Sequence, residues 1–129
     1  MRILMSLMCT FLLGLITINV VHADDWSEYQ MYQDFARTAS PEKVKQGQVI
    51  YQQNCARCHG PDGMRSPRRD VMPIAYMHPG KVFEELMDYR TDDDFFDWEE
   101  QAMIDVTRKL SFENLEAVAL YVGTLRGNR

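Results

Sequence analysis

Cysteine is scarce in this chain: three in 129 residues, Cys9, Cys55 and Cys58. No second C-x-x-C pair accompanies Cys55 and Cys58, so the four well-spaced ligands of a structural zinc site are missing. Positive charge is also short. Fourteen Lys and Arg against nineteen Asp and Glu leave a formal charge of -5, the wrong sign for a surface that grips nucleic-acid phosphates. Beyond the front of the chain no apolar run is long enough to cross a bilayer. Alternation of apolar and polar residues with period two is lacking, which leaves little to build strands from. Nor does any nucleophile, base and orienting group assemble from the pattern. What remains is the composition of one compact helical domain.

The front of the chain is different. Met1-Arg2 gives a short positive start, and Leu7 through Val21 is almost unbroken apolar sequence. The run closes at Val21-His22-Ala23 and gives way at once to Asp24-Asp25. Positive start, apolar core and a small-residue site make a secretory signal peptide, residues 1–23, cut after Ala23. A retained membrane anchor is the competing reading. Cleavage removes Arg2 and no acid, so the mature chain is more acidic than the whole and carries no membrane span. Its expected location is the periplasm. Cys9 leaves with the signal, and Cys55 and Cys58 face an oxidising compartment alone.

A disulfide closing two intervening residues would constrain little of the unfolded chain. The pair belongs to Cys55-Ala56-Arg57-Cys58-His59, the C-x-x-C-H signature of c-type haem attachment. Two residues three apart lie on one face of a helical turn, so both thiols reach one porphyrin edge, and His59 follows within the same turn. A thioredoxin-like pair would follow a strand, but the residues before Cys55 have helical spacing. The expected cofactor is one covalent haem c.

Ser40-Pro41-Glu42 is a helix start: a capping hydroxyl, Pro at the first helical position and an acid in the first turn. Val44, Gly47, Ile50 or Tyr51 and Asn54 keep helical spacing up to the motif. Gly47 is costly inside a helix, and a close helix crossing would explain it. Ser111 caps a last helix with the stripe Leu115, Val118, Ala119, Val122 and Leu125, and Tyr121 beside it. His78-Pro79-Gly80 opens another, with Val82, Phe83, Leu86 and Tyr89 facing inward. Residues 24–39 form an N-terminal extension with a rough helical stripe of Trp26, Tyr29, Tyr32 or Gln33 and Phe35-Ala36, read either as an extra helix on the core or as a partner-binding arm. The fold class is all-α, three to five short helices. Their core is thin for a domain of this length, and a buried porphyrin would supply apolar bulk.

From Gly47-x-x-x-Tyr51 through Cys55-x-x-Cys58-His59-Gly60-x-Asp62-Gly63, and again at Met103…Leu110-Ser111…Leu120-Tyr121-Val122, the chain resembles the class I (monohaem) cytochrome c family. The likeness covers residues 41–126, inside a domain taken as 40–129. It implies that the first and last helices of that fold cross near Gly47, with Tyr51 and Tyr121 at the contact. It also implies that His59 is the proximal iron ligand and that a proline carbonyl accepts its other ring N–H, for which Pro73 fits better than Pro67. The family carries its sixth-ligand methionine where Met103 stands. The mature chain also offers Met31, Met64, Met72, Met77, Met87 and His78. Met64 is too near His59 to cross the iron, Met87 has a core position, and Met72, Met77 and His78 stay open beside Met103.

The resemblance implies a non-enzymatic carrier of single electrons between redox partners, its partner a periplasmic redox protein or a membrane oxidase or reductase. The alternatives are a dedicated subunit of a periplasmic oxidoreductase and a gas-binding haem sensor. Arg57, Arg65, Arg68 and Arg69 follow the His59 side while residues 92–100 form an acidic, aromatic loop toward Met103. That dipole suits the docking of a partner.

Overall fold

The computed structural model describes residues 23–91 and 98–125; residues 1–22 of the expected 1–23 signal peptide, residues 92–97 of the acidic run and residues 126–129 lie outside them. Two compact units are present, residues 1–31 and residues 32–129. The described part of the first is the start of helix α1 (Ala23–Arg37), where Tyr29 and Met31 are exposed. The rest of α1 sorts with the body, so residues 32–39 of the expected extension belong to the larger unit.

The described residues are helical and contain no strand, in agreement with the all-α reading. After α1 come α2 (Pro41–Asn54), α3 (Ala56–His59), a 3-10 turn (Ile74–Tyr76), α4 (Pro79–Thr91), α5 (Trp98–Thr107) and α6 (Phe112–Leu125). The segments outnumber the three to five expected because the haem motif winds its own turn and because Trp98-Glu99-Glu100, read as loop, begins α5. No helix among the described residues is long and apolar enough to cross a membrane.

Caps set the helix starts. The Ser40 hydroxyl accepts the Lys43 N–H at 3.2 Å, with Pro41 in the first turn. The Ser111 hydroxyl accepts the Asn114 N–H at 3.2 Å, and His78 Nδ1 accepts the Gly80 N–H at 3.2 Å. Each satisfies an amide that a helix start leaves without an internal partner.

Packing centres on α2 against α6. Leu115, Val118, Ala119, Tyr121, Val122 and Leu125 are buried, as the stripe predicted, and Ala117 and Leu120 join them. A Cβ on Gly47 would lie 1.9 Å from the Ala117 carbonyl oxygen and 3.0 Å from the Tyr121 Cβ. The backbones touch here, and no side chain fits between them. One turn on, Tyr51 and Tyr121 meet with ring centroids 5.3 Å apart. An ion pair of Lys43 with Glu116 at 2.9 Å closes the outer end.

Val82 and Leu86 of α4 complete the core, and Phe83 stacks on Phe35 of α1 and edge-on to Phe112 of α6. Tyr32 lies so close to Gly80 that a Cβ there would come within 2.6 Å of its ring. The second half of α1 is thus part of the packing. At the far end Arg90 donates to the carbonyls of Thr107 and Leu110, tying α4 to the end of α5.

In Gly47→Ala, gained helix propensity of about 1 kcal/mol opposes an overpacking cost of about 1–3 kcal/mol or more. A contact of 1.9 Å to backbone lets overpacking win. The variant should lose roughly 5–10 °C of thermal midpoint by circular dichroism, and an unchanged or higher midpoint would show that the helices separate without cost.

Candidate functional site

Cys55 ends α2, its N–H donating to the Tyr51 carbonyl at 2.8 Å, and the chain then winds one further turn. Cys58 and His59 donate their N–H groups to the Cys55 carbonyl at 3.1 and 3.0 Å, and Gly60 donates to Ala56 at 2.9 Å. Gly60, at φ +81°, stops the turn in a conformation other residues avoid. The Tyr51 hydroxyl donates to the Gly60 carbonyl at 2.7 Å. Two thiols and an imidazole are therefore presented together, and all three line one cavity of about 400 Å³.

The back wall of that cavity is Tyr51 with Leu115, Val118 and Val122 of α6. Val82, Leu86 and Tyr89 of α4 form one side, and Ala102, Met103 and Val106 of α5 another. Val71, Met72, Ile74 and Met77 close the loop side, where Val71 and Met72 are exposed. Polar groups are few, Ser66, Arg68, Glu85 and Glu100 among them. Arg68 pairs with Asp70 at 3.0 Å and reaches Glu100 at 3.7 Å, so the loop after the haem motif is tied electrostatically to α5.

Burial decides the protonation of the site. It pushes the Cys55 thiol up to about 12, with the neighbouring Cys58 adding to the effect. It raises the Tyr51 phenol well above its ordinary value, again through desolvation first. It lowers His59, so the imidazole is favoured in the neutral form that ligates metals.

The residues fit a covalent porphyrin. The volume is that of a cofactor site and the walls are largely apolar. Both cysteines are free thiols, and among the described residues no three His, Cys, Asp or Glu side chains could hold a metal ion by themselves. That leaves the zinc reading without its ligand set. His59 Nδ1 is buried with no hydrogen-bond partner among the described residues, an arrangement that costs stability. The ring is not placed there to serve the fold's own hydrogen bonding.

The other candidates separate cleanly. Met72, Met77 and Met103 line the cavity, while Met64 and Met87 pack against the core without lining it. Met31 is exposed on α1. His78 does not line the cavity: Nδ1 caps α4, Nε2 lies 3.3 Å from the Gln33 amide nitrogen, and the ring stacks on Tyr32. Its role is to start α4 and dock α1. The Pro73 carbonyl accepts the Tyr76 N–H at 3.0 Å, closing the 3-10 turn, and the bond to His59 expected from resemblance is not among those formed.

Sequence reasoning missed three features. The Tyr51 hydroxyl bond depends on where Gly60 folds back. The close approach of Ala117 had a signal, a small residue on α6 to match Gly47. The Arg68–Glu100 pair joins residues far apart in the chain and had none.

The family model for cytochrome c matches residues 44–126. No curated protein and no solved structure matches the chain significantly. The matched stretch holds the crossing helices, the Cys55-x-x-Cys58-His59 turn and Met103, and a domain of this kind implies covalently bound haem c and supports haem-based electron transfer. On the strength of a match over most of its length, the chain belongs to the cytochrome c family.

Proposed function

We propose that the protein is an exported monohaem electron carrier, with Cys55 and Cys58 as thioether anchors, His59 as proximal ligand and Met103 as sixth ligand. One observation carries this reading. A single helical turn delivers two thiols and a neutral imidazole into a largely apolar cavity that α5 also lines with a methionine. The haem supplies one-electron chemistry when bound, and the protein sets its potential and access. Leu115, Val118 and Val122 keep water from the back wall, and α2 and α6 fix the anchoring turn. A thioether from Met103 would raise the reduction potential, as suits a carrier, whereas an open sixth position suits small-molecule binding.

The leader 1–23 supports export to the periplasm, where a redox protein or a membrane oxidase or reductase would exchange electrons with the carrier. Exposed Val71 and Met72 at the cavity edge, with Arg57, Arg65 and Arg69 exposed nearby in sequence, suit an acidic partner. Arg68 contributes less to that surface because Asp70 and Glu100 engage it. The docked half of α1 favours the extension as part of the fold over a free arm.

The sixth ligand is tested spectroscopically. The oxidised protein should show a sulfur-to-iron charge-transfer band that Met103→Ala abolishes and that Met72→Ala and Met77→Ala leave in place. Loss of the band in Met77→Ala alone would move the ligand to the loop, and carbon monoxide binding by the reduced wild-type protein would favour the sensor reading. Docking has its own readout. Association with an acidic redox partner should slow as ionic strength rises, and a flat profile would remove charge from the account.

A further inference from the structure

We infer that Tyr51 is a positioning residue for the proximal ligand: its hydroxyl, through the Gly60 carbonyl, sets the orientation in which His59 meets the iron. The inference rests on the reading of His59 as that ligand.

Tyr51 grips the haem-binding turn at both ends. Its main-chain carbonyl accepts the Cys55 N–H at 2.8 Å, where the turn begins. Its side-chain hydroxyl donates to the Gly60 carbonyl at 2.7 Å, where the turn ends. The residue is itself closely packed: it is fully buried, and Tyr121 braces its ring with centroids 5.3 Å apart. A phenylalanine would fill the same apolar space without a polar atom to satisfy, and burying a hydroxyl costs free energy unless it is bonded. The oxygen therefore matters for the bond it makes more than for the volume it fills.

His59 depends on that bond because little else aims it. Its Nδ1 has no hydrogen-bond partner among the described residues, so its own ring does not fix the imidazole plane. The His59 N–H donates to Cys55 and the His59 carbonyl accepts from Arg65, each at 3.0 Å. Those bonds fix the backbone of His59 only as well as the turn is fixed, and the next peptide is the one Tyr51 holds. Gly60, at φ +81°, lies where a residue with a side chain would be strained, and its carbonyl also takes the Gly63 N–H at 3.3 Å. Removing the hydroxyl removes the side-chain bond that holds the glycine beside the ligand.

The test is Tyr51→Phe in the full haem-loaded protein, with Tyr121→Phe as control. Tyr121 shares the ring contact but makes no bond to the turn in this structure. The paramagnetic shifts of the haem methyl groups in the oxidised protein, which report the imidazole plane, and the midpoint potential are read together with the thermal midpoint. Tyr51→Phe should reorder the methyl shifts and move the potential while the sulfur-to-iron band persists, and Tyr121→Phe should leave shifts and potential as in wild type. A lower melting point with unchanged shifts and potential would reduce Tyr51 to a structural role and overturn the inference. So would equal changes in both variants. A wild-type protein without a histidine-ligated haem would sink the reading of the site itself, and that result is visible before any variant is made.

Discussion

Because the Ala117 carbonyl leaves no room for a Cβ on Gly47, α2 and α6 are locked at one separation and one register. Much of the rest depends on that contact. Register brings Tyr51 against Tyr121, and Tyr51 in turn holds both ends of the turn that carries Cys55, Cys58 and His59. The same face of α6 supplies Leu115, Val118 and Val122 as the back of the cavity. Packing of two helices and presentation of two thiols and an imidazole to one cavity are thus one arrangement seen at two ends. Helix α4 and the second half of α1 then close the side, through Phe83 against Phe35 and Tyr32 against Gly80.

The electrostatics follow from the burial this frame imposes. In an apolar pocket the charged forms of a thiol, a phenol and an imidazole are all disfavoured, and Cys55, Tyr51 and His59 shift accordingly. A neutral imidazole is ready to ligate a metal. Charge is kept to the edge, where Arg68 is shared between Asp70 and Glu100. The Arg68–Glu100 pair fastens the loop after the haem motif to the helix bearing Met103, so two cavity walls are linked across a gap that the chain itself bridges only through residues 69–99.

Features written in adjacent residues were legible in advance. Ser40-Pro41-Glu42 and Ser111 start helices where the pattern put them, because a cap needs only its own next three residues. The α6 stripe and the inward residues of α4 were legible from spacing, and Gly47 signalled a crossing because glycine has few other reasons to sit inside a helix. That Cys55, Cys58 and His59 share one site was legible because five consecutive residues carry the whole motif, and all three line the cavity. Non-local facts were less accessible. His78 looked like a ligand candidate, yet its ring nitrogens are used by Gly80 and Gln33, the second of them far off in sequence. The acidic run hid the start of α5, since Asp and Glu report solvent exposure more clearly than helix boundaries. Among the methionines, lining the cavity is a matter of three-dimensional packing, and it narrowed the set to Met72, Met77 and Met103.

The central claim is that this helix crossing frames a cavity completed by a haem covalently attached at Cys55 and Cys58. Intact-mass spectrometry under denaturing conditions, on protein exported from cells that carry out haem attachment, tests it most directly. The account predicts a chain beginning at Asp24 that carries the added mass of one haem, with neither cysteine open to alkylation. An unmodified mass with two alkylatable thiols would contradict it.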